Sequence, residues 1–275
     1  MPGCIVEGVA PPSLRNPLPH ARAAQDALDS ILAACARRDA CHRAYPDGRA
    51  DLDSILARLR HAPAKVGIPN AAAGTDTTQL RWQQFAEALR VMTYRVPTLV
   101  AVPKLLHQAA RGDMTAFALA AITSNRGLRS LLRFGFLLSI TCSEDVPRIR
   151  EAEIHSATRD TYLGDSRVRE QIGACAQWPH APVPSDYGAP IRSSVPVFLL
   201  SGAWDPVAPP SYGADAARYL TNSIHVIAPG AHVPTGPCVV AMERAFLAAA
   251  SPNGVNTGCV ATMTLPPFIV DSISS

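Results

Sequence analysis

Residues 195–213 read VPVFLLSGAWDPVAPPSYG. The run from Val197 to Leu200 is apolar without interruption, the pattern of a strand buried on both faces of a parallel sheet. Gly202 follows it, and Asp205 comes next on a loop guarded by Pro206, Pro209 and Pro210. A carboxylate delivered to the end of such a strand stands where open parallel sheets place their sites. Further on, SYGADAARYL (211–220) predicts a helix, SIHVIAP (223–229) a second strand and PCVVAMERAFLAAA (237–250) an amphipathic helix. Strand, helix, strand, helix is a parallel α/β layout.

Upstream the period is helical. Ala24, Leu28, Ile31, Leu32 and Cys35 share one face, and Leu52, Ile55, Leu56 and Leu59 repeat the pattern after Asp51. APAKVGIPNAAAGTDTT (62–78) reads as a loop, and Leu80, Phe85, Leu89 and Met92 mark the next helix. Pro97 and Gly112 stand at the expected start and stop of another, an apolar stretch runs to Cys142, and a helix is expected from about Glu151 to Cys175. WPHAPVPSDYGAPIRSSVP (178–196) holds five prolines and reads as an extended connector. The expected division is 1–14 as the remnant of a central strand and its loop, 15–190 as a helical lid, and 191–275 as a C-terminal α/β segment.

With 275 residues, of which 48% are hydrophobic, the chain has ample material for a core. Its net charge is +3, with basic residues scattered among acids, so no nucleic-acid partner is expected. No run of about 18 apolar residues occurs, so no membrane partner is expected either. The start, MPGCIVEGVAPPS, lacks the basic and apolar regions of a signal peptide. The cysteines point the other way: Cys35 with Cys41, Cys142 with Cys175, and Cys238 with Cys259 make three plausible pairs, leaving Cys4 over. Spacing alone does not fix the connectivity, and buried reduced thiols are the competing reading. There is no C-x-x-C or H-E-x-x-H spacing, so neither metal nor cofactor is expected.

His232, in IAPGAHVPTGPC, follows the second strand as Asp205 follows the first. That is the chain order and placement of the acid and base in an α/β-hydrolase triad, where the imidazole takes a nucleophile's proton and the carboxylate orients it. His225, on the strand itself, is expected to pack in the core. The resemblance then becomes specific. FLLSGAWDPVAPPSYG (198–213), IAPGAHVPTGPCVVAMERAFL (227–247), CVATMTLPPF (259–268), ITCSEDVPRIR (140–150) and EGVAPPSLRNPLPHARAAQDALD (7–29) resemble the C-terminal part of secreted, tripeptidyl-aminopeptidase-like α/β-hydrolases. The resemblance implies an α/β-hydrolase fold with a large helical cap, the acid role for Asp205 and the base role for His232. It makes the six paired cysteines structural disulfides and suggests that Glu144 and Asp145, otherwise a helix-capping pair, hold a peptide's terminal amine.

The family's nucleophile elbow, G-x-S-x-G, lies upstream of the EGVAPP-like stretch, and these 275 residues contain no such motif. Ser211 in PPSYG and Ser166 in GDSRV come nearest, but the first lies after Asp205 and the second lacks a preceding strand. The expectation is therefore a serine hydrolase segment without its nucleophile and N-terminal strands, with a short peptide or ester as substrate. The alternatives are a non-catalytic remnant or binding module, and an esterase or lactonase using an unrecognised in-chain serine. Missing neighbours of the first strand would leave an open apolar edge, from which self-association or a complementary N-terminal half is expected. The resemblance implies a secreted or periplasmic setting.

Overall fold

The computed structural model describes residues 3–69 and 74–270. In chain order its elements are β1 (Cys4–Glu7), α1 (His20–Ala36), α2 (Asp39–Ala44), α3 (Gly48–His61), β2 (Ala64–Pro69), β3 (Thr75–Leu80) and α4 (Trp82–Met92). Next come α5 (Val96–Leu99), α6 (Val102–Ala110), α7 (Thr115–Leu131), α8 (Phe134–Ile140), a π-helical turn (Thr141–Asp145) and α9 (Glu151–Thr158). The last are α10 (Ser166–Cys175), β4 (Val197–Gly202), α11 (Pro210–Ala217), β5 (Ser223–Ala228) and α12 (Pro237–Ala249). The described residues form two compact units, one of 3–27 with 135–265 and one of 28–134 with 266–270.

The first unit is built on a parallel sheet of order β1-β4-β5. Cys4 pairs with Val197 at one end of the register and Gly202 with Ala228 at the other. All six residues of β4 are buried, as its unbroken apolar run predicts. On one face Phe198, Leu200, Val226 and Ala228 pack on Val239, Met242 and Phe246 of α12. On the other, Val197 and Leu199 pack with Val9 and with Ala216, Ala217 and Leu220, at and just beyond the end of α11. The mixed α/β architecture with a parallel sheet agrees with the expected fold class. A separate cluster of Leu18, Ile154 and Val168 seats α9 and α10.

The second unit is helical apart from one hairpin. Phe85 and Phe117 stack with ring centroids 4.3 Å apart, among fully buried Leu52, Ile55, Leu89, Met92 and Leu106. The expected loop at 62–78 is instead this hairpin, β2 antiparallel to β3, with Ala64 opposite Leu80 and Pro69 opposite Thr75. Thr-rich β3 has strand propensity but no apolar alternation, and Val66 is buried where its neighbours are not, so period-2 reading misses it. Residues 70–73 of that expected loop lie outside the described residues.

Two expected helices are also each divided in two. Pro103, without an N–H, stands in the first turn of α6 and breaks the run from Pro97, so α5 and α6 flank Val100 and Ala101. Gly112 does follow the stop, at φ +100°. Between α9 and α10 the chain turns through Asp160 and Gly164, both at positive φ.

Three disulfides are formed, Cys35–Cys41, Cys142–Cys175 and Cys238–Cys259, and Cys4 is free and exposed.

Candidate active site

The two loops that leave β4 and β5 meet at the carboxyl end of the sheet. Ala203 N–H donates to the Ala228 carbonyl at 3.0 Å and Trp204 N–H to the Gly230 carbonyl at 3.0 Å, which ties the acid's loop to the histidine's. The approach is so close that a Cβ on Gly202 would stand 1.6 Å from the Ala231 carbonyl oxygen. No side chain fits there, so Gly202 is what lets the histidine loop cross the end of β4. Gly8, just after β1, has φ +59°, and a Cβ there would stand 2.7 Å from Cε1 of His232. Three strand ends therefore converge on one imidazole.

Asp205 is 2% exposed, and each carboxylate oxygen has a fixed task. Oδ1 accepts the Val207 N–H at 2.9 Å and the Ala208 N–H at 2.8 Å. Oδ2 accepts Nδ1–H of His232 at 2.8 Å. An ionised carboxylate only accepts, so this bond assigns the proton to Nδ1 and the lone pair to Nε2, the atom a general base uses. The His232 side chain keeps 32% of its surface open while that of Asp205 has none. Beside Asp205, burial first and the carboxylate's charge second push the Tyr212 phenol well above its usual range. Glu7, ending β1, is raised by burial and then by the carboxyl of Glu243, while His232 pulls it back down.

The other residues named from sequence fall elsewhere. Ser166 opens α10 and spends its hydroxyl on the Leu163 carbonyl at 2.9 Å. Ser211 lies exposed in the first turn of α11. A serine that sequence reading missed is Ser201 on β4, whose Oγ lies 2.9 Å from Nε2 of His225. Ser201 is 0% exposed, and both groups press on Gly213, where a Cβ would stand 2.4 Å from Nε2 of His225 and 2.8 Å from the Ser201 hydroxyl. Burial lowers the His225 pKa, as befits a neutral ring between sheet and helix. The spacing of Ser201 and His225, on adjacent strands, contains no signal for this pair.

Glu144 and Asp145 sit together on the π-helical turn. Tyr187 donates its phenol to Glu144, and Arg148 donates to the Glu144 carbonyl at 2.6 Å, the Leu14 carbonyl at 2.5 Å and Asp145 at 3.3 Å. Burial is the largest influence on Asp145 and pushes its carboxyl up to about 6, against the Asn16 backbone N–H and Arg148, which stabilise the anion. Among the described residues no group of three or more His, Cys, Asp or Glu is arranged to hold a metal ion.

Residues 160–259 match the family model described as TAP-like protein, a family of α/β-hydrolases. The matched span runs from the turn before α10 to the second cysteine of Cys238–Cys259 and contains both Asp205 and His232. No curated protein matches the chain.

Proposed function

We propose, taking residues 160–259 as the C-terminal region of a tripeptidyl-aminopeptidase-like α/β-hydrolase, that Asp205 and His232 are the acid and base of a serine hydrolase acting on peptide bonds. The observation that carries this reading is the 2.8 Å bond from His232 Nδ1 to an Asp205 carboxylate whose second oxygen is held by two backbone amides. That arrangement fixes the imidazole in one tautomer and stabilises the imidazolium formed when Nε2 accepts a serine proton. The nucleophile comes from a segment that adds beside β1, an edge strand among the described residues, since the 275 residues contain no G-x-S-x-G and Ser166 gives its hydroxyl to the Leu163 carbonyl. The half-buried Ile5 and Val6 of β1 suit a further parallel strand.

In this reading Glu144 and Asp145, together on the π-helical turn, hold a substrate's terminal amine. Three disulfides are consistent with an extracellular or secreted protein, and we place the enzyme outside the cytoplasm on that ground. The test joins the chain to an elbow-bearing N-terminal segment of a TAP-like hydrolase. Hydrolysis is then compared on a tripeptide amide with a free amino end, its N-acetylated form and a simple ester. Turnover of the free-amine peptide, with the acetylated form much poorer, is expected. Turnover of the ester alone would sink the peptidase reading in favour of an esterase.

A further inference from the structure

Away from the sheet rim, the chain carries a feature of a different kind. From Met114 to Ser143 there is no Asp or Glu, while Arg126, Arg129 and Arg133 lie near its middle. The same segment exposes large apolar side chains where α7 ends and α8 begins. Leu131 is 72% exposed and Phe134 48%, and Phe136, also in α8, is 70% exposed. The Arg129 guanidinium stands 5.9 Å from the centroid of the Phe134 ring, so cation and ring are presented together. Large exposed apolar groups beside a cation mark a surface suited to a partner.

We propose that the segment from Arg126 to Phe134 is a docking surface for an anionic lipid bilayer. A bilayer interface favours apolar and aromatic side chains just below the headgroups and cationic ones level with the phosphates. This segment supplies both within nine residues, and it has no acid to offset its three arginines. Charge complementarity therefore selects an anionic surface over a neutral one. Among the described residues no helix is long and apolar enough to cross a membrane, so the contact lies on the surface. It departs from the expectation of no membrane partner, which rested on the lack of a spanning run. The proposal is independent of the hydrolase reading.

Cosedimentation of the 275-residue chain with phosphatidylcholine vesicles, and with mixed phosphatidylcholine–phosphatidylserine vesicles, tests it. Binding to the mixed vesicles only, weakened by added salt, is expected. Each arginine at the surface is worth roughly fivefold in affinity, so the triple change Arg126→Gln, Arg129→Gln, Arg133→Gln weakens binding on the order of 100-fold. Leu131→Ser with Phe134→Ser should weaken it by a similar factor at unchanged net charge. Circular dichroism checks that both variants fold, and Arg129→Gln alone, with its fivefold loss, serves if either does not. Equal binding to both vesicles, no binding to the mixed ones, or undiminished binding by the triple variant overturns the proposal. So does self-association of the chain that the Ser variant abolishes without any vesicle binding, which would assign the patch to a second copy.

Discussion

Asp205 and Asp145 are carboxylates in the same unit, and their surroundings differ in one decisive way. Asp205 has both carboxylate oxygens engaged, with two backbone amides on Oδ1 and an imidazole on Oδ2. Asp145 is half-buried on the π-helical turn with the Asn16 N–H and a single long bond from Arg148, and burial has the largest influence on it. Burial of a charged group is costly unless hydrogen bonds replace its water, and the two carboxylates differ in the number and geometry of the donors that do so. The first holds the His232 imidazole in position. The second is raised to about 6 by its burial.

The same chemical edit at the two positions should have unequal results. Asp205→Asn removes the acceptor that fixes the Nδ1–H tautomer, and in the enzyme joined to its nucleophile segment it should lower kcat by about 10⁴-fold. His232→Ala should cost on the order of 10⁶-fold. Asp145→Asn should leave kcat within a few-fold, and comparable losses at both aspartates would erase the distinction.

The rim is held by a backbone approach and the acidic turn by a disulfide, so each can be loosened alone. Gly202→Ala places a Cβ 1.6 Å from the Ala231 carbonyl oxygen, which must move, and denaturant unfolding should show a loss of about 3 kcal/mol together with lost activity. Replacing both Cys142 and Cys175 by Ser opens a link across a sequence separation of 33 and should cost about 2 to 3 kcal/mol. That variant should keep the bond between His232 and Asp205, seen by NMR as a strongly deshielded Nδ1 proton. Loss of the resonance would mean that the two sites are coupled.

The smallest effect is a pH dependence. The folded chain holds the Asp145 proton up to about 6, against an ordinary value of 3.8. Between those values the folded state binds more protons than the unfolded one. The group's contribution to stability is therefore greatest below the lower value and declines as pH rises through the higher one. Asp145→Asn should flatten the stability profile in that window. An unchanged profile would remove the basis for contrasting the two aspartates.

Much of this was legible in the sequence, for identifiable reasons. Val197 to Leu200 announces β4 because a two-sided burial needs an unbroken apolar run, and Asp205 and His232 are found because each follows such a strand. The helix breaks at Pro103 and Gly164 were hidden by apolar periods that continue across them. The β2–β3 hairpin carries Thr and Lys where a half-buried strand would alternate. The Ser201–His225 bond depends on strand register, and the contact of Gly8 with His232 on a loop crossing, neither of which leaves a local pattern.

The most direct test is labelling with a fluorophosphonate serine-hydrolase probe, applied to the 275-residue chain alone and joined to an elbow-bearing segment, each with His232 and with His232→Ala. No label that depends on His232 is expected in the chain alone. In the joined protein the elbow serine should be labelled, and the label should be lost in His232→Ala. A label on Ser166, Ser201 or Ser211 that vanishes with His232, or an elbow label indifferent to it, would contradict the assignment of Asp205 and His232 as the acid and base awaiting that serine.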